Sequence, residues 1–185
     1  MKNVLIIVTG LPGTGKTTLG KKIAEKFSLP FVCKDDFKEM LFDVLGSKDR
    51  EWSQKIGMAS YDILYHVTGE SLKANKSLIV ETNFDPKFAN KRIDELQKKY
   101  NFIPFQIRCI TDGRILLKRF EERVNDQGRH AGHCDADSLE EWEPILKKGK
   151  IEALKIKGEI MDINTTDFER LNHEELFDKI KEKLD

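Results

Sequence analysis

A chain of 185 residues, with 32 Lys+Arg against 32 Asp+Glu, is long enough for one domain with a real core. Its formal net charge of zero supplies no bulk field for polyanions and argues against a large nucleic-acid interface. Three scattered cysteines (Cys33, Cys109 and Cys134) argue against a disulfide framework and predict reduced thiols in a cytoplasmic protein.

Met1-Lys2-Asn3 and the five apolar residues that follow are too short for a signal-peptide core, and no stretch reaches bilayer-spanning length. The first predicted strand, Val4–Val8, leads at once into Gly10-Leu11-Pro12-Gly13-Thr14-Gly15-Lys16-Thr17-Thr18, a full match to G-x-x-x-x-G-K-[ST]. Between a buried strand and a helix predicted over Gly15–Phe27, such a loop turns backbone N–H groups inward as an anion nest. Lys16 is then expected to reach the β- and γ-phosphates of a nucleoside triphosphate, with the Thr17 hydroxyl on Mg²⁺.

Apolar runs of strand length continue to alternate with amphipathic segments, which predicts a parallel sheet covered by helices on both faces. Strands are expected near Pro30–Cys33, Leu78–Glu81, Ile103–Cys109 and Glu159–Ile163. Helices are expected near Asp36–Leu45, Glu51–Ala74, Pro86–Tyr100, Gly113–Val124, Leu139–Lys150 and His173–Leu184. After the second strand comes Lys34-Asp35-Asp36-Phe37-Lys38, in the crevice that the phosphate loop also faces. There Asp35 can accept the proton of an attacking hydroxyl while Asp36 caps the next helix; a pair serving only as a cap is the alternative. Glu81, which ends the third strand ahead of Thr82-Asn83, belongs with Mg²⁺ or its water, or else turns to solvent. Asp85 and Pro86 suit a helix start. In the Glu51–Ala74 helix, Trp52, Ile56, Ala59, Ile63 and Val67 read as mostly core, and Trp52, Gln54 and Tyr61 are candidate pocket residues.

Arg119 and Arg123 are four apart, so they are expected on one helix face, and Arg129-His130 follow in a Gly-containing segment poor in apolar residues, Asn125 to Asp137. Arginines on a closing lid would neutralise charge on a transferring phosphoryl group; a solvated basic helix end is the alternative. A zinc site at His130, His133 and Cys134 is disfavoured, because no second Cys pair accompanies them. Asp162-Ile163-Asn164-Thr165-Thr166 is a candidate edge of an adenine site, and His66 and His173 are expected to be surface or packing residues.

Gly10–Thr18, Lys34-Asp35-Asp36, Glu81-Thr82-Asn83 and Lys118-Arg119…Arg123 resemble, in order and spacing, the P-loop kinases related to the phage-type polynucleotide 5′-kinase. That group includes small-molecule kinases of gluconate, chloramphenicol and zeta-toxin types. The resemblance implies one P-loop domain over residues 1–185: a three-layer sandwich around a five-stranded parallel sheet of order 2-3-1-4-5, with a lid about 114–137. It also implies an ATP- and Mg²⁺-dependent kinase acting on the hydroxyl of a small molecule, as a monomer or homodimer without membrane attachment. In that family the residue matching Asp35 is the general base, and a lid arginine matches Arg123, with Arg119 as its neighbour. Candidate acceptor-site residues are Asp36, Lys38, Arg129 and His130. Lys38 stands where the polynucleotide kinase has arginine, and lysine cannot make the same bidentate fork to phosphate. A 5′-hydroxyl polynucleotide or RNA end kinase, with nucleic acid only as substrate, is the alternative reading, as is an ATP-binding module without an acceptor. A GTPase is disfavoured because an Asn-Lys-x-Asp guanine reader is lacking. A remodelling motor is disfavoured because the Asp-Glu strand end and an added helical domain are lacking.

Overall fold

The computed structural model describes residues 3–126, 128–168 and 170–185. Met1 and Lys2, and Gln127 of the expected lid, lie outside them. Five parallel strands, β1 (Val4–Gly10), β2 (Phe31–Cys33), β3 (Leu78–Glu81), β4 (Ile103–Ile110) and β5 (Glu159–Asn164), form a sheet in the order β2-β3-β1-β4-β5. The expected order is the observed one.

All seven residues of β1 are buried, because it is paired on both edges and covered on both faces. Alternation of side chains along the strand divides them between two cores. Val4, Ile6 and Val8 join Leu19, Ile23, Leu176 and Ile180 from α1 (Lys16–Phe27) on one side and α7 (Glu174–Leu184). Leu5 and Ile7 point the other way, to Leu64, Leu72, Ala89 and Ile93 of α3 (Arg50–Lys73) and α4 (Pro86–Tyr100). Each of the buried valine, leucine and isoleucine side chains among these contributes about 1.5–3 kcal/mol of transfer free energy. A third cluster, Leu11, Leu116, Phe120 and Leu146, ties the loop after β1 to α5 (Gly113–Val124) and α6 (Leu139–Leu146).

From β1 the chain crosses to β2 at the sheet edge and returns through β3, whereas β4 and β5 add on the other side. The direction of winding reverses at β1, so the crevice at its C-terminal end is where a ligand is expected. Among the described residues no helix is long and apolar enough to cross a membrane.

Three expectations are corrected. The Asp36 side chain does not cap α2 (Lys34–Leu45): the helix starts two residues earlier, Cys33 takes the cap position without a side-chain bond, and Asp36 is exposed in the first turn. The buried stripe of α3 runs through Ser53, Ile56, Ser60, Leu64, Thr68 and Leu72, and Ala59 is exposed. Ser60 and Thr68 enter the core because their hydroxyls donate to the carbonyls of Ile56 (2.7 Å) and Leu64 (2.6 Å) one turn back. Helix α6 ends at Leu146, two residues after Pro144, and not at Lys150. Asp85 does cap α4, accepting from the Lys87 N–H at 2.8 Å.

Candidate active site

The loop after β1 takes its shape from glycines. Gly13 and Gly15 hold φ of 83° and 75°, a left-handed region that a Cβ penalises. A Cβ on Gly10 would come within 2.6 Å of the Thr14 Oγ1 and 2.9 Å of the Cys109 carbonyl. Thr14 is buried, its hydroxyl donating to the Leu11 carbonyl at 2.8 Å, while Leu11 anchors the loop in the third core cluster. Gly15 sits at the cap of α1 with no side chain bonding its first N–H groups, and the first turn carries no acidic residue. This uncapped, positively polarised helix end suits the oxygens of a phosphate chain. Pro12 lines the neighbouring cavity, and Thr18 is exposed on α1.

Strand register brings Glu81 to this end of the sheet, opposite Val8. It is 2% exposed. Its Oε2 accepts from the Thr17 hydroxyl at 2.8 Å and from the Cys33 thiol at 3.1 Å, and its Oε1 lies 3.7 Å from the Lys16 ammonium. Burial and the Glu81 charge push the Cys33 thiol well above its ordinary value, which keeps it an S–H donor. A hydroxyl beside a carboxylate is a hard oxygen donor set of the kind Mg²⁺ takes, directly or through water.

Asp35 stands in the first turn of α2, with its side chain 39% exposed to the cavity. Its Oδ1 accepts from Lys34 at 2.8 Å, and its Oδ2 lies 3.6 Å from Arg129. Burial works to raise its pKa, but the Lys34 and Lys16 charges hold the carboxyl well below the usual range, so it is ionised at neutral pH. The cavity it faces is lined by Lys16, Glu81, Thr82 and Asn83 from the strand ends, by Lys34, Lys38 and Arg50 from α2 and α3, and by Phe120, Arg123, Arg129, His133, Asp135, Ser138 and Trp142 from the segment after β4.

The two helical arginines part company. Arg119 donates to the carbonyls of Gly13 (3.4 Å), Thr165 (3.1 Å) and Thr166 (2.9 Å), outside the cavity. Arg123 turns into the cavity and donates from Nε to Asp135 Oδ2 at 2.9 Å. Residues four apart share a helix face, yet side chains this long follow the acceptors they find, carbonyls in one case and a carboxylate in the other. Arg129 donates to the same Asp135 oxygen at 2.9 Å and to Glu39 at 3.2 Å. Burial works against ionisation of Asp135, but Arg123 and Arg129 hold its pKa below the ordinary value.

The segment carrying Arg129 docks on α2 through a close approach at Gly132, where a Cβ would meet the Phe42 ring at 2.5 Å. His130 stacks on Phe42 at 5.2 Å and reaches Asp43, away from the cavity lining. His133 is buried against Glu39 at 2.7 Å; burial and the Arg129 charge lower its pKa to about 3, so the ring is neutral at pH 7. Of the candidate pocket residues on α3, Tyr61 comes nearest: its hydroxyl is 3.2 Å from both Thr82 and Asn83. Trp52 instead donates to the Gly46 carbonyl, and Gln54 is exposed. Asp162 forms a two-point ion pair with Arg108 across β4 and β5, leaving the Thr165 and Thr166 carbonyls to Arg119.

The structure therefore gathers Lys16, Thr17, Glu81, Asp35, Lys38, Arg123 and Arg129, and leaves Asp36, His130 and Arg119 off the cavity wall. Sequence reasoning missed Arg50 and Asp135, single charged residues with no motif around them.

A family model described as an AAA domain, AAA_33, matches residues 5–143. A "putative kinase" from Chloroflexus aurantiacus J-10-fl is 37% identical over 100% of both chains, with a TM-score of 0.93. A sugar kinase from Janibacter sp. HTCC2649 covers 100% of this chain and 94% of its own at 15% identity and a TM-score of 0.56. A gluconokinase from Sinorhizobium meliloti 1021 covers 99% and 95% at 15% identity and a TM-score of 0.55. These last two likenesses speak to the fold alone. No protein of curated function matches the chain at a significant level.

Proposed function

The chain belongs to the AAA_33 family of AAA domains and has the fold of the P-loop kinases, and we propose that it transfers the γ-phosphoryl group of ATP to a hydroxyl of a small molecule in a Mg²⁺-dependent reaction. In this reading Gly10, Leu11, Pro12, Gly13, Thr14, Gly15, Lys16, Thr17 and Thr18 cradle the phosphates through backbone N–H groups and the Lys16 ammonium. Thr17 and Glu81 hold the metal, directly or through water. Held there, Mg²⁺ would supply positive charge against that of the phosphates.

The observation that carries the reading is one cavity shared by Asp35, Lys16, Glu81 and Arg123. Asp35 is ionised, so it orients an acceptor hydroxyl and receives its proton as the new O–P bond forms and the bond to ADP breaks. Arg123 and Arg129, both held by Asp135, present fixed positive charge to the transferring group. Arg119 serves the nucleotide side, bridging the phosphate loop and residues 165–166.

ADP release with Mg–ATP across sugars, nucleosides, antibiotics and 5′-hydroxyl oligonucleotides tests the proposal. Acceptor-dependent turnover that Asp35→Asn abolishes, with ATP affinity retained, is the expected result. ATP binding without turnover on any acceptor would leave a nucleotide-binding module only.

A further inference from the structure

Strand β2 runs into α2 without a connecting loop, so the register of Cys33 opposite Glu81 also fixes where Lys34 and Asp35 begin. Successive residues on a helix point about 100° apart, and neighbours in sequence do not ordinarily face each other. Yet the Lys34 ammonium donates to Asp35 Oδ1 at 2.8 Å. Sequence adjacency alone does not produce that contact.

A third residue does. The Lys34 side chain is 9% exposed, and its Nζ lies 5.5 Å from the centre of the Tyr61 ring. A cation over an aromatic face at this distance is attracted by the ring quadrupole, and burial strengthens the attraction. Among the described residues, Asp35 is the one carboxylate within ion-pair distance of this ammonium. The ring is itself anchored. Tyr61 projects from α3, and its hydroxyl accepts from Thr82 Oγ1 and donates to Asn83 Oδ1, both at 3.2 Å. Thr82 and Asn83 follow Glu81 directly, so contacts run from the end of β3 through Tyr61 and Lys34 to Asp35.

The two oxygens of Asp35 are left in different states. Oδ1 takes Lys34, whereas Oδ2 has no hydrogen-bond donor among the described residues, with Arg129 3.6 Å away. The last torsion of an aspartate is broad and roughly two-fold, so an unpinned carboxylate would exchange its oxygens. Pinned at one, it presents the other in a fixed direction.

We infer that Lys34, seated on the Tyr61 ring, is a positioning residue that holds Asp35 by Oδ1 so that Oδ2 meets the acceptor hydroxyl. The hydroxyl's part rests on the kinase reading; the hold on Asp35 does not. In that reaction the hydroxyl proton passes to Oδ2 as the new O–P bond forms and the γ-phosphorus separates from the ADP oxygen, while Lys34 keeps its own protons. The charge on Asp35 agrees with this hold, because burial works against it and Lys34 leads the groups that oppose burial. Lys16, Arg129 and the neutral His133 also face the carboxylate, and Arg129 is shared with Glu39 and Asp135.

Carbon-13 NMR of the Asp35 carboxyl, titrated in the unliganded protein, reads the hold directly. Lys34→Met should let the carboxyl take up its proton about 1–3 pH units higher than in wild type. Lys34→Arg, which keeps the charge and stacks on an aromatic face, should reverse most of that rise. Tyr61→Leu should give a smaller rise in the same direction, and Tyr61→Phe, which keeps the ring, should give none. With Mg–ATP and a working acceptor, Lys34→Met should lower kcat about 10–100-fold at KM values unchanged within about threefold, and Lys34→Arg should recover part of the loss. The acid limb of the kcat profile should move up with the NMR midpoint.

An Asp35 midpoint equal in wild type and Lys34→Met overturns the inference. So does a raised midpoint with unchanged kcat, or a loss of ATP affinity as large as the loss of kcat, which would make Lys34 a contact of the donor phosphates. Where no acceptor turns over, the kinase reading fails and the titration alone decides. A rise in Lys34→Met that Lys34→Arg reverses then upholds the hold on Asp35, and an unmoved midpoint removes it. Should Lys34→Met not fold, Tyr61→Leu against Tyr61→Phe makes the same comparison through the ring, and equal midpoints there overturn the inference.

Discussion

The two halves of the site are built on different principles. On the proposed donor side the recognition surface is backbone: glycines of the loop after β1, the uncapped start of α1, and a carboxylate, Glu81, whose oxygens are met by Thr17, Cys33 and Lys16. On the proposed acceptor side it is long side chains from α2, α3 and residues 129–142, and one of them, Arg50, has its Nε buried with no partner among the described residues. A triphosphate offers the same oxygens every time, so backbone donors of fixed geometry suffice. An acceptor differs from one kinase to the next, and side chains can be exchanged without disturbing the sheet.

The largest effect should come where the halves meet. Asp35→Asn is expected to lower kcat by about 10²–10⁴-fold, in keeping with loss of a positioned base, with ATP affinity changed little. Equal losses of transfer and of ATP binding would place Asp35 on the donor side and erase the distinction. Glu81→Gln tests the donor half alone: the Mg²⁺ concentration for half-maximal activity should rise about 10–100-fold at unchanged acceptor KM.

Asp135 holds Arg123 and Arg129, so in the proposed reaction Asp135→Asn would act on the transition state through them. About a tenfold fall in kcat at constant KM is expected, as for loosened positioning groups. Restoration by Asp135→Glu would mark it as a positioning residue, whereas a matching fall in melting temperature would make the role structural.

Lys38 gives the smallest effect and the most specific one. Its folded pKa, about 8, lies below the ordinary 10.5. Between those values the unfolded chain binds more protons than the folded one, so this group adds stability as pH rises from about 8 to 10.5 and subtracts it at neutral pH. Lys38→Met should therefore melt higher than wild type at pH 7, by about 3 °C for each ~1 kcal/mol relieved, and the gap should close as pH climbs. Lys34, Asp35, Arg50, Arg129 and His133 face the same ammonium and modulate this profile.

Much of this was legible in the residues. Five strands and seven helices lie within a few residues of their expected places, because apolar runs of strand length and helical periodicity are local signals. The proposed donor site could be named for the same reason: Gly10–Thr18 is contiguous, and Glu81 ends an apolar run. The rest of the cavity could not. Its residues come from segments far apart in the chain, and each reads alone as a surface charge. The face of α3 was misjudged because Ser60 and Thr68 look polar, yet bond their own helix and enter the core. The shared face of Arg119 and Arg123 was sound reasoning about Cα positions that did not extend to guanidinium tips.

By itself, then, the sequence determined the parallel sheet, the phosphate loop, the carboxylate after β2 and the one after β3, all set by local spacing and strand-to-helix turns. Only the tertiary structure decided which arginine enters the cavity, that Asp135 holds two of them, and that Lys38 is buried against the Ser53 hydroxyl. Long flexible side chains settle where neighbours from other elements supply charge and burial, and no local pattern encodes that meeting.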